Sequence, residues 1–144
     1  MTSRIFLDAS ALFAAAYSPT GAARELLRLG MQGSVHLFTN QIAMEEAERN
    51  LTRKAPEGVA VFRALLEVLP IEVYPAPGPE EIATLLASVV AKDAPILAGA
   101  LACQAGYLAT FDRQHLIGID VTGFSTSLII ATPGDILNRI RKPD

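Results

Sequence analysis

The chain has 144 residues, of which 51% are hydrophobic types, and a formal net charge of −3. That length fits one domain with a sizeable core, and the acidic balance argues against a surface that is basic throughout, though not against a local basic groove. A single cysteine excludes an internal disulfide and a cysteine-built zinc site.

The predicted elements run in chain order as follows. Residues 4–8 form a short β run ending in Asp8, and the Ala-rich residues 9–17 form a helix. Asp8 interrupts the apolar stretch from Ile5 to Tyr17, so this segment does not read as a signal peptide. Ser18-Pro19-Thr20-Gly21 breaks the helix, and Thr20 is expected to cap the next one, over residues 22–31. Residues 35–39 are a second strand; Asn40 caps a helix to about Lys54, and Pro56 opens another to Leu69. Residues 71–74 are a short strand between Pro70 and Pro75. Pro79 opens a helix expected through Val90, with Glu80 and Glu81 favourable in its first turn. A helix follows Asp93, over residues 94–105, and Gly106 is expected to end it. Residues 107–110 are the fourth strand and 127–131 a fifth. Pro133-Gly134-Asp135 begins a last short helix before the polar tail Lys142-Pro143-Asp144.

Short apolar strands alternating with amphipathic helices imply a parallel sheet with helices on both faces. The expected fold class is therefore α/β, a three-layer α/β/α sandwich with a mostly parallel sheet of four to five strands. One domain is expected over residues 1–144, with its core over about 4–137. No run reaches the ~18 apolar residues of a membrane span. Cys103, in Leu-Ala-Cys, reads as a small buried hydrophobe. A soluble protein of the reducing cytoplasm, with no membrane partner, is the expectation.

Four acids next to the most apolar segments carry the functional reading: Asp8, Glu46, Asp93 and Asp112. A carboxylate at the edge of a core is costly unless something pairs with it, and several can share a hard divalent cation. Asp8 and Asp112 follow strands, and in open α/β sheets ligands sit beyond the carboxyl ends of strands. Either could instead serve a turn or a helix cap. On the helix after Asn40, Ala43, Met44, Ala47 and Leu51 define the buried face. Glu45 points nearly opposite, toward solvent and Arg49 at i+4, while Glu46 lies on the boundary where a side chain can reach a cleft. Asp93 in Asp-Ala-Pro reads first as a helix cap, accepting an early N–H. Ser10 and Thr110 stand where they could hydrogen-bond into the same site. Arg49, Arg53, Lys92 and Arg113 lie beside the acids and could hold flanking phosphates. His36 and His115 lack metal-ligand spacing and read as structural or exposed. Carboxylates holding one or two Mg2+ ions provide what phosphodiester cleavage needs: an activated water and charge stabilisation on the phosphoryl oxygens.

At this point the residues resemble a known family. Phe6-Leu7-Asp8-Ala9-Ser10, Glu46-Ala47-Glu48-Arg49-Asn50-Leu51, Lys92-Asp93-Ala94-Pro95-Ile96-Leu97-Ala98-Gly99 and Ala109-Thr110-Phe111-Asp112-Arg113 resemble, in order and spacing, the four acidic motifs of PIN-domain proteins of the VapC-like toxin type. Pro133-Gly134-Asp135-Ile136-Leu137 is similar to the closing helix of one PIN subgroup. The resemblance implies a PIN-like fold and Mg2+- or Mn2+-dependent RNA cleavage by Asp8, Glu46, Asp93 and Asp112. It also implies an antitoxin protein as partner and a homodimer. Phe111 and Gln114 depart from the family's pattern around the fourth acid, Gln114 standing where many members carry another Asp. A non-catalytic PIN-fold module that binds RNA or protein is the alternative. An aspartate-nucleophile phosphatase is disfavoured, because Ser10 stands where such enzymes need a second acid.

Overall fold

The computed structural model describes residues 2–142. Five strands form one sheet in the order β3-β2-β1-β4-β5: β1 (Ser3–Leu7), β2 (Val35–Asn40), β3 (Ile71–Tyr74), β4 (Tyr107–Ala109) and β5 (Ile129–Ala131). Every pairing is parallel. Seven helices accompany them among the described residues: α1 (Ala9–Tyr17), α2 (Ala22–Met31), α3 (Gln41–Lys54), α4 (Gly58–Val68), α5 (Pro79–Ala83), α6 (Ala94–Ala102) and α7 (Pro133–Arg141). The result is the α/β/α sandwich expected from the alternation of elements.

The central strand β1 and its neighbour β2 are buried on both faces, as an all-parallel sheet requires. Ile5, Phe6 and Leu7 of β1 are fully enclosed, as are Leu37 and Phe38 of β2. The faces separate by neighbour. Gly30 of α2 closes on Leu37, whereas Gly99 of α6 closes on the Phe6 ring. Phe6 and Phe38 are register partners, so both side chains stand on the α6 face, where the Arg4 guanidinium lies 4.4 Å from the Phe38 ring centroid. On the other face α1 packs against α2, α3 and α4, and α2 packs against α7.

The chain lays strands outward from β1 to β2 to β3, then returns to place β4 on the other side of β1. Right-handed crossovers put the helices before and after such a reversal on opposite faces. The crevice between β1 and β4 is therefore the topological switch point, where ligands of open α/β sheets bind.

Several boundaries differ from the sequence expectation for local reasons. Thr20 does not cap α2; Gly21 occupies the N-cap with no side-chain bond. Helix α4 starts at Gly58 rather than at Pro56, after a turn closed by Gly58 N–H donating to the Ala55 carbonyl. The helix expected over residues 79–90 stops at Ala83. Beyond it Leu85, Leu86 and Ser88 donate to carbonyls three residues back, and the Thr84 hydroxyl donates to the Glu81 carbonyl at 2.9 Å, which replaces the α-helical pattern with tight turns. Helix α6 ends at Ala102, not at residue 105, because Gln104 takes the left-handed conformation (φ 55°). The fifth strand is shorter than expected, since the Ser125 hydroxyl accepts from the Ser127 and Leu128 amides and holds them in a turn. Of the polar tail, Pro143 and Asp144 lie outside the described residues.

Candidate metal centre

Each acid reaches the carboxyl edge of the sheet by its own local route. Asp8 leaves β1 and caps α1, accepting from the Ala9 amide at 2.6 Å. Its other oxygen accepts from the Thr110 hydroxyl at 2.6 Å and the Ser10 hydroxyl at 3.3 Å. Thr110 and Ser10 thus both hold Asp8, across the β1–β4 crevice and from the first turn of α1. Thr110 also accepts from the Asp112 amide at 3.0 Å, and Ser10 from the Phe111 amide at 3.0 Å. One hydroxyl pair therefore orients the acids of β1 and β4 together.

Asp112 accepts the Gln114 and His115 amides at 3.1 and 2.8 Å, an Asx-type turn that folds the following loop back over it. Glu46 sits on α3, whose start is fixed by Asn40: its Oδ1 accepts from the Ala43 amide at 2.9 Å and its Nδ2 donates to the Pro95 carbonyl at 3.1 Å. That single amide joins the end of β2 to the start of α6. Ala43, Ala47 and Leu51 are buried, Met44 and Glu46 are half-buried, and Glu45 is exposed. No ion pair joins Glu45 to Arg49 among the described residues.

Asp93 departs from its capping role. It precedes α6 but makes no side-chain cap bond, and its own backbone is helical. It is 7% exposed, and its Oδ2 has no hydrogen-bond partner. A buried carboxylate oxygen without a donor is costly, and this atom is placed to take a cation.

The electrostatics agree that the acids crowd one another. Burial pushes the Asp8 carboxyl above the usual range, with a smaller push from the Asp112 charge, against the hydrogen bonds from Thr110, Ala9 and Ser10. Burial and then the Asp8 charge raise Glu46, while Lys92 and Arg49 oppose them. Asp93 is pushed up to about 6 by burial and by the Asp112 and Asp8 charges, against Lys92 and His115. Hard oxygen donors that repel one another suit a divalent cation.

The sequence reading missed His115. Its Nδ1 lies 3.9 Å from Asp93 Oδ2 and 3.8 Å from Asp112 Oδ2, and Asp93, Asp112 and His115 form a group whose ligand atoms all lie within 4.8 Å of one another. His115, expected to be structural or exposed, is half-buried and stands beside two of the acids. The available signal was its position three residues after Asp112, which an Asx turn converts into proximity. His36 is exposed on β2 and outside this group.

Of the basic residues, Lys92 bears on both Glu46 and Asp93, and Arg49 on Glu46. Arg53 and Arg113 are exposed, with no ion-pair partner among the described residues. Beside the acids runs a groove of about 430 Å3 lined by Ser10, Phe13, Ala14, Glu46, Asn50, Lys54 and Phe111. Phe111 is 46% exposed, so its ring forms a wall of this groove. A larger hollow of about 680 Å3, along Tyr107, Ile129, Asp135 and Arg139, lies apart from the acids.

Two expectations follow. Thr110→Val keeps the shape of the side chain but leaves the Asp112 amide and an Asp8 oxygen short of a partner; a loss of about 2 kcal/mol should appear as a melting temperature lower by roughly 5 °C. The second concerns pH. Asp93 titrates near 6 in the folded chain against an ordinary 3.8. As pH rises between those values, the unfolded chain gives up this proton before the folded one. The folded metal-free protein should therefore lose stability as pH rises from about 4 to about 6. Added Mn2+ should restore it above that window, which denaturant titrations with and without metal would measure.

This arrangement is a PIN-like fold with an acidic centre at its switch point. Comparison with solved structures gives the same fold. PAE2754 from Pyrobaculum aerophilum matches with a TM-score of 0.64 and 21% identity over 98% of each chain. VapBC2 from Rickettsia felis, solved bound to a DNA fragment from its promoter, matches with a TM-score of 0.62 and 14% identity over 90% of this chain and 98% of that one. VapC20 from Mycobacterium tuberculosis, described as a toxin that cleaves the sarcin-ricin loop, matches with a TM-score of 0.52 and 18% identity over 75% and 89%. No family model and no curated protein matches the sequence.

Proposed function

We propose that this protein is a metal-dependent endoribonuclease of the PIN-domain, VapC-like kind, the toxin of a toxin–antitoxin pair. The observation that carries the reading is the group of Asp93, Asp112 and His115 around the buried, unpartnered Asp93 Oδ2, with the Asp8 charge acting on both Asp93 and Glu46. The likeness to VapBC2 and VapC20 supports the choice of RNA as substrate and of an antitoxin protein as partner. A homodimer in the cytoplasm is part of the same reading. No helix among the described residues is long and apolar enough to cross a membrane.

In this reading the carboxylates of Asp8, Glu46, Asp93 and Asp112 hold Mg2+ or Mn2+. An ion held there would supply an activated water and charge neutralisation at the phosphoryl group. The chain does the positioning. Thr110 and Ser10 lock Asp8 in place, so that an oxygen is presented without a search through rotamers. Asn40 sets the start of α3, and thereby the height of Glu46 over the crevice. Lys92, Arg49, Arg53 and Arg113 flank the acids and hold adjacent phosphates. Incubating a mixed RNA pool with the protein in Mg2+, Mn2+ or chelator, beside Asp8→Asn, tests the assignment. Metal-dependent cleavage by the parent chain alone is expected. RNA bound but never cut would support a binding module instead.

A further inference from the structure

Among the described residues, His115 is the one side chain with a nitrogen within 4 Å of two of the acids, and the role already given to the carboxylates does not use it. Its imidazole Nδ1 stands 3.9 and 3.8 Å from the facing oxygens of Asp93 and Asp112. Those separations are too long for hydrogen bonds. Ligand atoms about 2.1 Å from a common ion stand roughly 3–3.5 Å apart, so the nitrogen and each oxygen would close by about 0.3–0.9 Å on binding. The ring is not a loose surface group. Its backbone N–H donates to Asp112 Oδ1 at 2.8 Å, and the Leu116 and Ile117 amides donate to the Asp112 carbonyl, so the loop is wound onto the acid it faces. Asp93 Oδ2, the buried atom without a partner, is the oxygen nearest this nitrogen from that side.

We propose that His115 Nδ1 is a metal ligand alongside Asp93 and Asp112, and that this nitrogen makes the centre prefer Mn2+ to Mg2+. Mg2+ takes hard oxygen ligands and keeps most of its waters, whereas imidazole suits first-row transition ions. An all-carboxylate site has no such bias beyond the general affinity order. The inference deepens the ribonuclease reading and rests on it for the centre's being a metal site.

Pulsed electron paramagnetic resonance on the Mn2+-loaded full chain tests this without any substrate. Nitrogen-14 modulation of a directly bound imidazole is expected in the parent chain and should vanish in His115→Gln. Calorimetric titration should give Mn2+ binding at least roughly tenfold tighter than Mg2+ in the parent, with most of that ratio lost in His115→Gln. The ring is one-third exposed, so the variant should fold; His115→Asn and a melting curve for each provide the control. Oxygen-only coordination in the parent, a metal preference unchanged by both variants, or no Mn2+ binding would each overturn the proposal, the first leaving His115 as an ion-pair partner only. The two readings fail separately. Nitrogen coordination without RNA cleavage sinks the ribonuclease and leaves the ligand assignment standing. Cleavage with oxygen-only coordination does the reverse.

Discussion

Asp8→Asn is expected to lower metal-dependent RNA cleavage by about 10^3-fold or more while leaving the fold intact. The amide is isosteric and keeps an oxygen to accept the Ala9 N–H or the Thr110 hydroxyl. What it removes is a negative charge at the centre of the cluster, one that bears on both Glu46 and Asp93. A loss of that size corresponds to about 4 kcal/mol of transition-state stabilisation, a reasonable magnitude for weakening a metal's hold on water and phosphoryl oxygens. The metal-free variant should be no less stable than its parent, because a repulsive charge has gone. Single-turnover cleavage in Mn2+ and a melting curve in chelator read the two halves separately. Parental cleavage by the variant would remove Asp8 from the mechanism. A collapsed melting temperature would show that the residue is chiefly a helix cap.

Gly99→Ala should be strongly disruptive for a single added methyl. A Cβ at this position would stand 2.6 Å from Asn40 Nδ2 and 2.6 Å from each of two ring atoms of Phe6. Neither neighbour can step aside easily. Phe6 is fully buried in the central strand, and Asn40 is held at both ends, by the Ala43 amide and the Pro95 carbonyl. Overpacking of this kind costs about 3 kcal/mol, offset by about 1 kcal/mol from alanine's better helix propensity. The net loss of about 2 kcal/mol or more should lower the melting temperature by roughly 5–10 °C. Function should suffer too. Moving Asn40 shifts the start of α3, and Glu46 rides on that helix. Gly123→Ala is the matched control, since nothing lies within 4 Å of a Cβ there; it should melt with the parent.

The local periodicities carried most of this information. Residues 4–8 announce a buried strand because three apolar side chains in a row suit a sheet covered on both faces. The choice of Glu46 over Glu45 follows from helical angle alone, and the burial of Ala43, Ala47 and Leu51 agrees with it. Asn40 reads as a cap from the sequence, and it is one. Its second bond, to Pro95, is invisible there because the two residues are 55 positions apart.

Where local signals are balanced, tertiary contacts and turn chemistry decide. The segment over 84–90 has a helix-like apolar pattern, yet its backbone closes tight turns. Asp93 sits in good capping sequence, yet its carboxylate turns away from the helix and lies buried opposite Asp112 and His115. His115 has no ligand spacing of its own and gains its place only through the turn that Asp112 organises.

By itself the sequence determined the strand–helix alternation, hence the parallel sandwich, and the identity of four acids worth watching. Both rest on short-range chemistry: periodicity, capping residues, and carboxylates beside apolar runs. Only the tertiary structure decided which oxygens face one another, because that depends on β4 returning beside β1. It left Asp93 Oδ2 without a donor, tied Asp8 to Thr110 across 102 residues, and brought an imidazole to the cluster. These are long-range consequences of strand order, which no window of sequence contains.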